Sequence, residues 1–266
     1  MVFGLWQFRG EVRMQRLNVS SAKRGSIPTI ACINQTKEVD LGQLGVDFDS
    51  LISALQKYVD NYFAPVWGTP AKLVKATKPR DNAWTMIFTD TADAYRAELT
   101  KRFGKKFVDE LASVHLFKSR PLALVFVKNA LLDPAPGLSK RDKVSLAASH
   151  ELAEMLVDPG INLWCDDGNG TLYAYEVCDT VEAKFFRVNG LAMSDFVYPT
   201  FFEGFHGRNA VQFDHMKEVK HPFEILKDGY AHVKEAGKLR VILRCTRKKR
   251  IELGKEDRDL HRSEYR

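Results

Sequence analysis

Apolar positions fall into two long stretches with helical spacing and a larger number of short, strand-like runs. Arg16–Ser20 and Thr29–Asn34 read as strands joined by the turn-like segment Lys23–Pro28. Asp47 or Asp49 is placed to cap a helix running to about Tyr62, with Leu51, Ile52, Leu55, Val59 and Phe63 on one face; Pro65 is expected to end it. Lys72–Thr77 and Ala83–Asp90 are further strands, and Asp93 to about Val114 reads as a helix interrupted near Gly104. The unbroken apolar run Leu122–Val127 predicts a buried strand, closed by the loop Asp133–Gly137. A strong helix follows from about Arg141 to Val157, stopped by Asp158-Pro159-Gly160. Beyond it the chain is short strands and turns. Asp166–Gly170 is a turn, Asn189-Gly190 joins Phe185–Val188 to Leu191–Met193, and Tyr230–Val233 pairs with Leu239–Leu243. The fold class is α+β, with one helix between a strand-rich N-terminal half and a loop-rich C-terminal half.

That helix carries the chemistry. At about 100° per residue, His150, Glu151 and Glu154 share an arc of roughly 100°. Val144, Ala148, Leu152, Met155 and Leu156 lie on one side, and Leu146, Ala153 and Val157 on the other. Only Ser145 and Ser149 offer further polar positions. A surface helix has one broad wet face; this one reads as buried, with ionisable groups along a single stripe. Burying two carboxylates and an imidazole costs several kcal/mol for each uncompensated charge, on the order of the penalties known for buried ions. A divalent cation shared by His150 and Glu154, at i and i+4, removes that cost, and Glu151 is then placed to polarise a water molecule.

A three-ligand site needs one more group from farther along the chain. Glu176 and Asp179, at i and i+3, face one way on a helical turn, so that one can ligate while the other orients His150. Glu176 is the favoured ligand and Asp179 the favoured orienting group. Glu182 continues the line and is expected to be solvent-exposed. Cys178, between the two candidates, is expected to be simply buried.

Composition adds limits. At 266 residues, 45% hydrophobic and 28% charged, the chain has the proportions of an ordinary soluble globular protein. No apolar run approaches the roughly 20 residues needed to span a bilayer, so no membrane partner is expected. Residues 1–13 lack the features of a secretory signal, and Met14 is a credible start. Four cysteines without a C-x-x-C pair fit reduced thiols and a cytoplasmic location. The net charge of +6 resides entirely in Lys238–Arg266. One domain over residues 14–245 with a basic tail over 246–266 is therefore expected. The tail is a candidate nucleic-acid contact, although no aromatic residues interleave its Arg247-Lys248-Lys249-Arg250 run. Oligomeric state is not legible.

Ser149-His150-Glu151-Leu152-Ala153-Glu154, Asp158-Pro159, Trp164, Tyr173–Asp179 and Ser194–Pro199 together resemble a family of bacterial and phage proteins with an H-E-x-x-E helix, zincin-like metallopeptidases of the gluzincin type. Ala64–Gly68 and His261–Arg266 fit the same group, so the resemblance extends over most of the chain from about residue 14. It implies a zincin-like mixed sheet with an active-site helix and a peptide or protein substrate. It also implies zinc held by His150, Glu154 and Glu176, with Glu151 as general base. Glu154 stands where the wider clan has a second His. Two carboxylates and one His leave the site near neutral, so the metal should be a weaker Lewis acid, and manganese or iron should be tolerated. Zincins can bind an extended peptide on an edge strand beside the active helix, for which Leu122–Val127 is the candidate. Tyr198 and His215 are the available donors for a developing oxyanion. The alternative is a non-catalytic structural or interaction protein with a structural metal. Asp166–Gly170 has the composition of a Ca²⁺ loop but not its full pattern, and a hairpin turn is expected there.

Overall fold

A computed structural model describes residues 27–103, 108–109, 111–132 and 137–244. The expected strand Arg16–Ser20, the break at Gly104, Cys245 and the basic tail 246–266 lie outside them. The structure is α+β. Strands β1 (Thr29–Asn34), β2 (Lys72–Ala76), β3 (Trp84–Thr89), β4 (Ser113–Phe117) and β5 (Pro121–Phe126) form one sheet in the order β2-β1-β3-β5-β4. The first four positions of that order are mutually parallel, and β4 runs antiparallel to β5 on the edge.

Alternation along these strands divides the core. Ile30, Cys32, Met86, Phe88, Ala123 and Val125 point to one face, where α1 (Phe48–Tyr58) and α5 (Lys140–Val157) pack. Ile33, Ile87, Leu124, Phe126 and Leu116 point to the other, against Leu99 of α3 (Arg96–Phe103). With both faces covered, the strands read as continuous apolar runs. By the same parity, β4 turns Leu116 to the α3 side and His115 toward α5.

Three expectations are corrected. Val114 lies in β4 and not in a helix: Arg96–Phe103 and Val108 are helical, but by Ser113 the chain is extended and pairs with β5. Leu122–Val127 is not an edge: β5 is flanked by β3 and β4, and Val127 opens the short helix α4 (Val127–Leu132). Pro65 does not end the first helix. A π-turn at Val59–Phe63 re-registers the backbone, and Pro65 falls in the first turn of α2 (Ala64–Trp67), where its missing N–H is no loss. Gly68, left-handed at φ 68°, then caps it.

Helix α5 is anchored at its start. Ser139 and Asp142 form a reciprocal capping box. Asp142 also pairs with Arg187 at 2.9 Å and accepts the Ala192 N–H. Burial opposes ionisation of Asp142, but Arg187 and Ser139 hold its pKa down to about 2. The two helix serines dock the hairpin β8 (Phe185–Val188)–β9 (Leu191–Ser194): Ser145 Oγ donates to Ala192 O, and Ser149 Oγ accepts the Ser194 N–H at 2.8 Å. Asn189 and Gly190, both at positive φ, make that hairpin turn as expected. At the helix end, buried Asp158 accepts the N–H groups of Asn162 and Leu163.

The remaining strands, β6 (Trp164–Asp166), β7 (Thr171–Ala174), β10 (Tyr230–Glu235) and β11 (Lys238–Leu243), make an antiparallel sheet in the order β11-β10-β7-β6. Residues 166–170 form the β6–β7 turn, and β10 pairs β11 from Tyr230 against Leu243. Among the described residues no helix is long and apolar enough to cross a membrane.

Candidate metal centre

The stripe on α5 is buried, as its apolar flanks require: Glu151 is 5% and Glu154 3% exposed. His150 and Glu154, one turn apart, face each other with Nε2 and Oε1 3.3 Å apart. The same Nε2 lies 3.2 Å from Asp179 Oδ1. Asp179 therefore meets His150 on the ring nitrogen that faces Glu154, the ligand side, and not on the opposite nitrogen where an orienting group would sit. The other oxygen of Asp179 is 3.4 Å from His232 Nδ1 on β10. That approach depends on Gly229, because a Cβ there would lie 2.4 Å from the Thr180 carbonyl oxygen.

A second histidine enters from β4. His115 Nδ1 is 3.1 Å from Glu151 Oε2 and 3.5 Å from Glu154 Oε2. Ser113, two residues earlier on the same strand face, donates from Oγ to Glu151 Oε1 at 2.7 Å. Glu151 thus engages the ring at Nδ1, which leaves Nε2 as the nitrogen of His115 without a hydrogen bond. This nitrogen is buried, makes no hydrogen bond, and faces Glu176 Oε2 at 3.7 Å. Glu176 comes from the segment after β7. Its neighbour Cys178 is fully buried, and the Cys178 backbone N–H donates to Glu154 Oε1. Burial holds the Cys178 thiol well above its ordinary pKa and therefore protonated.

The electrostatics are those of charges confined together. Burial works against the His115 imidazolium, but the hydrogen bond to Glu151 and the charges of Glu176, Glu151 and Glu154 push its pKa up to about 9. Burial likewise opposes the His150 cation, and Glu154 and Asp179 hold it well above its ordinary value. Glu154 is driven up to about 8 by burial, with Asp179 and Glu176 adding to the push and His150 opposing it. Asp179 goes the other way: burial would raise it, but His150 and His232 keep it ionised well below the usual carboxylate range.

Two donor triads result, each with ligand atoms within 4.8 Å of one another: His150, Glu151 and Glu154, and His115, Glu154 and Glu176. The expected residues His150, Glu151, Glu154, Glu176 and Asp179 are thus brought together, while Glu176 groups with His115 and not with His150. Glu182, half-buried, follows the short 3₁₀ turn Asp179–Val181. Tyr198 and His215 are placed elsewhere. They meet each other at 3.3 Å, and the His215 ring packs on Tyr62, Phe186 and Phe196. Nearby, the buried carboxyls of Asp195 and Asp214 are engaged by backbone N–H groups of Phe196 and Met216, and of Glu218 and Val219. A cavity of about 700 Å³ lies between Asn34 and Phe48, and no residue of the cluster lines it.

His115, Ser113 and His232 were not singled out from sequence. The signal for the first two was the i, i+2 polar alternation Ser113-Val114-His115-Leu116, which the helical reading of Asp93–Val114 concealed. His232 carried no comparable signal, because its partner Asp179 is 53 residues away. No protein-family model matches the chain, and neither a curated protein nor a solved structure does.

Proposed function

We propose that this chain is a zincin-like, metal-dependent hydrolase of peptide bonds, with Glu154 at the centre of its metal site. The observation that carries the reading is the His115 Nε2 atom, buried without a hydrogen bond and aimed at a carboxylate, within a triad of donor atoms suited to a divalent cation. Imidazole and carboxylate donors fit zinc, and the excess of oxygen donors fits manganese or iron(II) as well. A bound cation would supply Lewis-acid polarisation of a scissile carbonyl and acidification of a water molecule.

The chain's own groups do the rest. Glu154 holds the helix side of the site. Glu151, fixed by Ser113 and His115, accepts a proton when one of those bonds is exchanged for a water. Strand addition of an extended peptide falls to β4, which pairs with β5 on one side only among the described residues. Tyr198 and His215 have no part in this proposal.

The test is cleavage of a peptide library by the purified full chain loaded with Zn²⁺, Mn²⁺ or Fe²⁺. Cleavage that drops by about 10²–10⁴-fold in Glu151→Gln, with metal retained, is the expected result for loss of a general base. Bound metal without cleavage under any loading would contradict it. One observation favours a second reading, a cation that only holds the fold: His115, Glu154 and Asp179 are each at most 6% exposed, leaving little access for a peptide. In that case the basic tail would be the functional part, contacting nucleic acid or a protein partner. Salt-sensitive DNA binding lost on truncation after Arg244 would support it; the cut spares β11, which ends at Leu243.

A further inference from the structure

We infer that the pocket holds two divalent cations bridged by the carboxylate of Glu154. This rests on the metal reading above and deepens it from one ion to two.

Three observations carry it. The two oxygens of Glu154 are divided between histidines of different elements: Oε1 is 3.3 Å from His150 Nε2 on α5, while Oε2 lies on the His115 side, 3.5 Å from that ring's Nδ1 edge, in a group with Glu176 whose donor atoms lie within 4.8 Å of one another. The two triads share Glu154 and no other residue. Each half also has its own supporting groups. Asp179 stands 3.2 Å from His150 Nε2 on the helix side. On the strand side, Ser113 and Glu151 fix His115 so that its buried, hydrogen-bond-free Nε2 is aimed at Glu176. A carboxylate holding the Nδ1 proton of a histidine whose other nitrogen ligates is the usual support for a metal-bound imidazole.

Charge makes the same argument. Glu151, Glu154 and Asp179, all buried, and Glu176, partly so, are four carboxylates in one cluster, and ligating imidazoles are neutral. His232 meets one of the four, Asp179; one dication still leaves part of the remaining charge uncompensated where that is costly, and a second removes it. Oxygen-rich donor sets with one imidazole per ion suit manganese or iron(II) at least as well as zinc.

The experiment uses the metal-stripped full chain titrated with MnCl₂, read by native mass spectrometry for stoichiometry and by low-temperature EPR. Two Mn²⁺ per chain with an exchange-coupled spectrum is the expected result. His115→Gln should bind one ion and give the uncoupled spectrum of isolated Mn²⁺. A single ion at saturation in the unsubstituted chain would overturn the two-ion inference and leave the proposed hydrolase standing. No ion would overturn both. Two ions without magnetic coupling would overturn the Glu154 bridge. Coupling that persists in His115→Gln would overturn the role of the strand side. The unsubstituted chain decides the stoichiometry even if the variant fails to fold.

Discussion

His150 and His115 reach the same carboxylate by different routes. His150 sits on α5 one turn before Glu154, so the pairing is local and the helix repeat alone produces it. His115 comes from β4, 39 positions earlier than Glu154, and depends on the strand being paired in the right register with β5. The helix side is held by Asp179, which also engages His232; the strand side is held by Ser113 through Glu151. One arm of the pocket is therefore fixed by secondary structure, and the other by sheet assembly. Metal affinity on the second arm should be more sensitive to small changes in neighbouring groups.

Removing either histidine breaks the comparison most severely. In metal-free protein, His150→Ala and His115→Ala each leave buried carboxylates without their cationic partner. Each should cost about 3–5 kcal/mol by denaturant unfolding, the range for one-sided loss of a buried ion pair. Equal and small costs for the two would contradict the burial that underlies the account. Ser149→Ala probes the helix without touching the proposed metal donors. It leaves the Ser194 N–H buried and unmatched, which should cost about 1–3 kcal/mol with metal content unchanged. Ser113→Ala probes the strand arm in the opposite sense. Loss of the bond that fixes Glu151 and, through it, His115 should weaken metal binding about 10–100-fold by calorimetric titration, beside a stability cost of about 1–3 kcal/mol for the Glu151 oxygen left unmatched. An unchanged affinity would show that β4 does not orient the site.

The smallest effect is in pH dependence. The pKa of Asp142 in the folded state, about 2, is depressed below its ordinary value near 4. Its contribution is therefore fully present above about pH 4 and is lost as the pH falls toward 2. Asp142→Asn should flatten the unfolding free energy between about pH 4 and pH 2, measured against the unsubstituted chain. An unaltered slope would mean that the Arg187 pair does not tie the start of α5 to the β8–β9 hairpin.

The same contrast explains what was legible in the sequence. Helix α5 was readable to within a residue because its apolar flanks and Asp158-Pro159-Gly160 agree. The hairpins at Asn189-Gly190 and β10–β11 were readable for the same local reasons. Whatever needed long-range pairing was not. Leu122–Val127 was recognised as a strand, but its apolar run could not say whether it lay inside the sheet or on its edge. Ser113-Val114-His115-Leu116 is too short to outweigh the helical signal before it, so β4 and its histidine went unseen. Glu176 and Asp179 were found from spacing, but their division between His115 and His150 is a product of tertiary structure. Pro65 misled because the π-turn before it is invisible to helix-stop rules.

The central claim is that Glu154 is the common ligand of a divalent-metal site. Metal analysis of the full chain, purified without chelator, tests it most directly when run beside Glu154→Ala on equal amounts of folded protein, with folding checked by circular dichroism. Bound zinc, manganese or iron in the unsubstituted chain and its loss from the variant is the predicted result. A metal-free native chain, or a Glu154→Ala variant that retains its full metal content, would contradict the account.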